Sequence, residues 1–171
     1  MQTLLPAKFT GIIQLVPSNQ SQLLALQQSV LEQYSDQQPN PKLHITLLHQ
    51  SFPKKLTSVY GLRGDKALKA LYKYGGQMGI PTPDLQLGDV KIGFDLTTGR
   101  RSTYVEIDNP EACIEFRNAI LEAASLNPDA LDAILTEDER NRVFHISLTN
   151  LDGNSGASIA YPQAGDIKVV V

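Results

Sequence analysis

The feature that most constrains this chain is a strand–helix–strand pattern that occurs twice, with a histidine strand at the end of each copy. IIQLV, a helical segment and LHITL in the first half correspond to YVEID, a helical segment and FHISL in the second. The second copy is longer, and its extra residues fall in the acidic stretch before Arg142. Elements with one apolar face must bury that face against another layer. The pattern predicts an α+β class: a bilobal, duplicated β-α-β fold with two antiparallel-rich sheets around a central cleft.

Local patterns predict the individual elements. Alternating apolar residues and β-branched side chains predict strands over residues 8–16, 43–49, 84–96, 102–108 and 143–150, with a last strand in DIKVVV. Helical spacing predicts a helix capped by Ser18 or Asn19 that runs to Tyr34, one that starts after Asp65, and one from Pro110 to about Leu126. The segment TTGRR predicts a hairpin turn, and NPDALDAILTEDER predicts a short acidic helix or flap.

Length and composition favour one soluble domain. The 171 residues suit a single domain over 1–171, and hydrophobic residues make up 42% of them. A formal net charge of -3 argues against the broad basic surface that grips long nucleic acids. The lone Cys113 excludes an internal disulfide and fits a small core residue. We expect no signal peptide and no membrane span, because Pro6, Lys8 and Gly11 interrupt the first apolar residues and no apolar run reaches membrane-spanning length. We expect a cytoplasmic protein, in the host cytoplasm if the chain is viral, with no membrane partner.

The two histidine strands share one local pattern of histidine, aliphatic residue, hydroxyl residue and leucine. Since alternate side chains of a strand share a face, His44 and Thr46 point one way in the first motif. His145 and Ser147 do so in the second. The opposite faces are wholly apolar: Leu43, Ile45, Leu47, Phe144, Ile146 and Leu148. The apolar faces suit packing on helices, and the polar faces are left to line a site.

Two histidines beside two hydroxyls suit the cleavage of a phosphodiester. One imidazole can take a proton from the attacking oxygen while the other delivers one to the leaving oxygen, because imidazole titrates near neutral pH. The hydroxyls of Thr46 and Ser147 can donate hydrogen bonds to the phosphate oxygens, where charge grows in the transition state. Each hydroxyl lies about 7 Å from its histidine along the strand, which is close enough for both to contact one phosphate group.

Metal ligation is the main rival, and the sequence argues against it. The chain has one cysteine, no His-x-His and no HExxH. His44 and His49 are five residues apart, so on a strand they face opposite ways. We expect no metal and no cofactor, and we interpret His49 as a structural or strand-end histidine.

The paired motifs HITL and HISL, one in each half of a duplicated α/β chain, resemble the 2H phosphoesterase superfamily. The resemblance covers roughly residues 8–150, and its specificity lies almost wholly in the two motifs. It implies a bilobal fold whose motifs face one another across a cleft, and metal-free cleavage of phosphodiesters that commonly involve a ribose 2′ oxygen. Members include LigT-like 2′,3′-cyclic phosphodiesterases, viral 2′,5′-oligoadenylate phosphodiesterases and phage anti-CBASS enzymes. It carries over to His44, Thr46, His145 and Ser147.

Other residues are weaker candidates for substrate contacts. Tyr104 could stack on a base or bind a phosphate, although ordinary cross-strand packing explains it equally well. Lys42 shares a face with His44 and suits either a phosphate contact or a solvated position. Thr10 lies on the polar face of the predicted first strand. Glu106 fits a packing or solvated position better than one that orients a histidine.

Several functions remain open at this point. The substrate of an enzyme is either a 2′,3′-cyclic phosphate or a short oligonucleotide, 2′–5′ linked or cyclic. In both cases the partner is a small nucleotide or short oligonucleotide, not long nucleic acid. A second class is a binding module that sequesters a nucleotide without turnover. A third is a structural or interaction domain in which the two motifs occur by accident. The oligomeric state is not indicated by the sequence.

Overall fold

The computed structural model describes residues 4–11, 14–18, 20–47, 52–61 and 79–171. The strands in these ranges are β1 (Leu4–Gly11), β2 (Gln14–Pro17), β3 (Gln38–Pro39), β4 (Ile45–Thr46), β5 (Asp84–Asp95), β6 (Arg100–Ile107), β7 (His145–Asn150) and β8 (Ile167–Lys168). The helices are α1 (Ser21–Gln33), α2 (Phe52–Tyr60), α3 (Pro110–Ala123), α4 (Pro128–Asp132) and α5 (Glu137–Arg140). Helices and antiparallel strands are therefore mixed in one chain, which confirms the α+β class.

The described strands form one connected sheet. Its order is β1-β2-β4-β7-β6-β5-β8, with β3 paired to β7 beside this path, and each pairing is antiparallel. The first residues of β1 also pair with β5, so the path from β1 to β5 closes on itself. The prediction of two separate sheets is wrong for these strands, because β4 and β7 are direct neighbours and join the two halves.

The predicted strand over residues 8–16 is in fact a hairpin. β1 turns back and pairs with β2, with Lys8 opposite Val16 and Phe9 opposite Leu15. Gly11 ends β1 opposite Gln14. Glycine weakens a strand interior and favours a bend, and this is the signal that the sequence interpretation underused. Residues 12–13 lie outside the described ranges.

Helix α1 packs its apolar stripe on the sheet as predicted. Leu23 and Val30 are fully buried, and Leu26 and Tyr34 lie at the margin of the same core. The predicted cap at Ser18 or Asn19 is wrong, because the helix begins after Gln20, whose side chain makes no capping hydrogen bond. The first residue of the helix is therefore set by packing of the stripe and not by a side-chain cap.

Helix α3 covers the other part of the same sheet face. It begins at Pro110 as predicted and buries Cys113, Phe116 and Ile120. Burial raises the pKa of the Cys113 thiol to about 12. A thiol that stays protonated to that pH is a poor nucleophile, so the interpretation of this cysteine as a core residue is confirmed.

The remaining predictions divide by region. The hairpin between β5 and β6 is confirmed, and it turns at Gly99 with a positive φ of 71°. The last strand β8 pairs with β5 at the end of the sheet path, as expected for DIKVVV.

The helix predicted after Asp65 lies outside the described residues. Helix α2 was not predicted. None of the described helices combines the length and apolarity needed to cross a bilayer.

Candidate active site

The register of β4 and β7 brings the two histidine motifs together. Ile45 lies opposite Ile146 in an antiparallel pair. One residue along each strand, the same register places His44 opposite Ser147 and Thr46 opposite His145. Residues that face each other across such a pair have Cβ atoms about 5 Å apart. Each histidine therefore lies beside the hydroxyl residue of the other motif.

These four side chains occupy one face of the sheet. Ile45 and Ile146 have no exposed surface and belong to the core under the helices. Because successive side chains alternate, their neighbours point to the opposite face. The apolar residues flanking the motifs are all buried, as the sequence predicted: Leu43, Leu47, Phe144 and Leu148. The prediction that the apolar residues of each motif are buried is confirmed.

Both imidazoles are oriented by the same local hydrogen bond. Nδ1 of His44 lies 3.0 Å from the carbonyl oxygen of Lys42, and Nδ1 of His145 lies 3.0 Å from that of Val143. A carbonyl only accepts, so Nδ1 carries the hydrogen in each ring. In the neutral ring Nε2 is then the nitrogen that can accept a proton. The two motifs thus match in the carbonyl, two residues earlier in the chain, that orients the ring.

The loop that leads to His44 is tied to β7. The side-chain amide of Asn40 donates to the carbonyl of Ser147 at 2.9 Å. Gln27 of α1 donates to the carbonyls of Asn40 and Leu148, at 3.1 Å and 2.8 Å. Both amide side chains are buried. These bonds fix the first histidine loop against the second histidine strand, and buried amides of this kind are costly to remove.

Burial lowers the pKa of both histidines. His145 is 8% exposed, and burial lowers its pKa to about 4. The Val143 and Ile159 carbonyls oppose this shift, while the charges of Arg142 and His44 add to it. Burial also lowers the pKa of the half-buried His44, with the Lys42 carbonyl opposing and the Lys42 charge adding to the effect. The charge of His44 thus acts on His145, and at neutral pH His145 is uncharged in the free protein.

Tyr104 lies in the site but cannot contact a base. It is opposite Ser147 on β6, and its ring packs edge-on against His145 with centroids 5.3 Å apart. The ring has no exposed surface, and the hydroxyl donates to Asp166 Oδ2 at 2.6 Å. Burial and this carboxylate raise the pKa of Tyr104 far above its usual value. The predicted stacking on a substrate base is therefore wrong, because another part of the chain covers the ring.

That covering segment is residues 158–166, which passes over β5 and β6. The backbone N–H of Ile159 donates to Ser102 Oγ at 3.0 Å, and Asp166 holds Tyr104. The segment comes so near to β5 that a Cβ on Gly93 would lie 2.5 Å from Ile159 Cδ1 and 2.7 Å from Asp166 Oδ2. Gly93 therefore leaves the space that the side chains of Ile159 and Asp166 occupy against β5.

Changing Gly93 to alanine should move this segment and destabilise the protein. We expect Gly93→Ala to lower the free energy of unfolding by about 1–3 kcal/mol, because the added methyl has no space. Urea denaturation measures the loss. Gly165→Ala is the matched control, since a Cβ there meets no atom within 4 Å and the residue lies in the same segment. Equal stability of the two variants would contradict the close approach.

The other predicted side chains have mixed outcomes. Lys42 is exposed, and its charge acts on His44, so it lies at the edge of the site. Thr10 lies in β1 beside an irregularity in the pairing with β2, and its side chain is outside what the structure describes. His49 is likewise outside the described residues. Glu106 lies opposite His145, but its carboxylate pairs with Lys91 at 2.8 Å.

Sequence reasoning missed two polar groups near the histidines, Lys91 and Asp166. Lys91 lies opposite Tyr104 on β5, and Asp166 binds the Tyr104 hydroxyl. Arg142 precedes β7 and its charge lowers the pKa of His145. Only tertiary pairing brings Lys91 and Asp166 to the site, so their local sequence carries no signal for it. Within the described ranges, no group of three or more His, Cys, Asp or Glu side chains is placed to hold a metal ion. Metal-independent chemistry stays a prediction.

Comparison with known proteins identifies no relative of this chain. No family model, no curated protein and no solved structure matches the chain. The function therefore has to be inferred from the arrangement of the side chains themselves.

Proposed function

We propose that the protein is a metal-independent phosphodiesterase of the 2H type, acting on small nucleotides or short oligonucleotides. One observation carries the proposal: the Ile45–Ile146 register sets two histidines and two hydroxyls on one face of adjacent strands. Both rings also donate from Nδ1 to a carbonyl, so in each neutral ring Nε2 is the nitrogen that can accept a proton. The duplicated, bilobal form of the fold belongs to this proposal.

The chemistry follows from the protonation of the two rings. The base removes the proton of the attacking oxygen, which belongs to water or to a ribose hydroxyl of the substrate, as that oxygen bonds to phosphorus. The acid gives its proton to the leaving oxygen as the bond between phosphorus and that oxygen breaks. We assign the base to His145. Burial lowers the pKa of this imidazole to about 4, so the ring is neutral at neutral pH and can accept a proton. His44, the less buried ring, is then the acid, and an anionic phosphate beside it would favour its charged form against the burial that lowers its pKa.

The hydroxyls of Thr46 and Ser147 would stabilise the charge that develops on the phosphate oxygens. Each lies next to the histidine of the other strand, so a phosphate between the rings is within reach of both. Lys42 at the edge of the site would attract the anionic substrate. Fixed donors aimed at developing charge make one of the largest contributions to catalysis in enzymes.

A substrate panel tests the proposal. Cyclic mononucleotides, 2′–5′ dinucleotides and cyclic di- and trinucleotides are incubated with the protein, with and without EDTA, and the products are identified by mass. Turnover that EDTA does not affect supports the proposal. Tight binding without turnover selects a sequestering protein instead, and loss of activity in EDTA selects a metal enzyme. The double variant His44→Ala/His145→Ala controls for contaminating nucleases.

Removing one hydroxyl should slow the chemical step. Thr46→Val and Ser147→Ala are each expected to lower kcat by about 100-fold with a smaller change in KM, because the donor acts mainly on the transition state. Steady-state rates on the best substrate of the panel measure this. Thr97→Val, in the exposed turn after β5, is the control. An equal effect of all three variants would contradict a specific role.

A further inference from the structure

A cavity of about 340 Å³ adjoins the histidine site. Its polar and aromatic lining comprises Lys91, Glu106, Asn141, Arg142, Tyr161 and Gln163. It lies next to His145, since Glu106 is the cross-strand neighbour of that residue. Val143, which also lines the cavity, is the residue whose carbonyl holds the His145 ring. A group bound in this cavity would therefore be a direct neighbour of a phosphate held by the histidines.

Arg142 is the unusual group in this cavity. Its Nε is buried and has no hydrogen-bond partner among the residues that the structure describes. The guanidinium lies 5.9 Å from the centre of the Tyr161 ring. The charge of Glu139 acts on Arg142, but the Glu139 side chain is paired with Lys55. Buried donors are nearly always satisfied in proteins, so the guanidinium of Arg142 has unused donor capacity beside the cavity.

The charges around the cavity largely cancel. Lys91 is neutralised by Glu106 at 2.8 Å, and the carboxylate of Asp166 also acts on Lys91. Arg142 is therefore not part of a cluster of free cations, as a strong second phosphate site would need. The amides of Asn141 and Gln163 and the ring of Tyr161 offer donors, acceptors and an aromatic surface instead. This lining suits a flat, polar and uncharged group.

We infer that the cavity is a nucleobase subsite and that guanine is the base it recognises best, an inference that rests on the proposed function. Guanine presents the acceptors O6 and N7 on one edge, which a guanidinium can bind with two hydrogen bonds. Its other edge carries N–H donors, for which the carboxylate of Glu106 is an acceptor. Adenine carries an amino group where guanine has O6. That hydrogen-bond donor would face the donors of the Arg142 guanidinium, with no acceptor between them. The substrate would then carry a guanine next to the phosphate that is cleaved.

Binding of nucleosides tests the subsite without any need for turnover. Guanosine, adenosine, cytidine and uridine are titrated into the protein by calorimetry or ligand-observed NMR. We expect guanosine to bind tightest, and Arg142→Gln to weaken guanosine by about tenfold or more. Arg142→Lys should lose most of this affinity too, because it keeps the charge but not the two-pronged geometry. Arg140→Gln, an exposed arginine in the neighbouring helix α5, is the matched control.

Other outcomes would overturn the inference. If inorganic phosphate binds in an Arg142-dependent way while no nucleoside does, the cavity is an anion site. Equal binding of the four nucleosides by the native protein would exclude base recognition. Circular dichroism of each variant ensures that a loss is not due to unfolding.

The same variants separate this inference from the proposed function. Phosphodiesters next to each of the four bases could be cleaved at equal rates, with Arg142→Gln as fast as the native protein. That result excludes the guanine subsite and leaves the proposed phosphodiesterase function intact. If guanosine binds through Arg142 but no phosphodiester is cleaved, the guanine subsite is supported and the proposed phosphodiesterase function is excluded.

Discussion

Replacing either His44 or His145 by alanine is expected to lower kcat by about a thousandfold, with the fold retained. General acid and general base catalysis are each worth about 10²–10⁴ in rate. Each ring has a defined nitrogen for the task, because Nδ1 is bound to a carbonyl in both. Initial rates on the best substrate, measured under saturating conditions, give kcat directly.

The double variant gives a sharper test than either single one. Two groups that act in the same transition state lose most of their joint effect when the first is removed. His44→Ala/His145→Ala should therefore be only slightly slower than the slower single variant, not a millionfold slower than the native protein. Urea denaturation confirms folding in each case. Either single variant with more than about a tenth of the native rate would exclude acid–base catalysis by that ring.

Local sequence was sufficient to predict which side chains the two motifs present together. A strand alternates its faces, so the buried Ile45 and Ile146 imply that His44, Thr46, His145 and Ser147 lie on the other side. The apolar residues of α1 and α3 were predicted for the same reason, since helical spacing marks the face that is buried. These predictions depend on periodicity alone, and periodicity is a property of a single segment.

The pairing of segments could not be predicted in the same way. Nothing in LHITL or FHISL specifies that Ile45 lies opposite Ile146, so the sequence suggested two sheets facing across a cleft instead of neighbouring strands. Tyr104 was misinterpreted because segment 158–166, far away in sequence, covers it. Strand alternation would turn Arg142 away from His145, but β7 begins only at His145 and the alternation does not reach Arg142. The cavity depends on all of these long-range contacts.

Acid should destabilise the protein through His145. Its pKa is about 4 in the folded state, and it is about 6.5 in an unfolded chain. Between these values the unfolded state binds a proton that the folded state does not, so stability falls as the pH is lowered from 6.5 towards 4. A shift of this size corresponds to a loss of at most about 3 kcal/mol.

A variant that cannot take up this proton isolates the contribution. We expect His145→Asn to have a flatter dependence of unfolding free energy on pH, measured in urea between about pH 7 and pH 4.5. Carboxylates such as Glu139, whose ion pair with Lys55 helps to lower its pKa, lose stability in the same direction in both proteins and cancel in the comparison. His44→Asn should flatten the curve less, because His44 is less buried and its pKa is less strongly lowered. Parallel curves for the native protein and His145→Asn would mean that the His145 imidazole is not held neutral in the fold, and the assignment of this ring as the base would lose its physical ground.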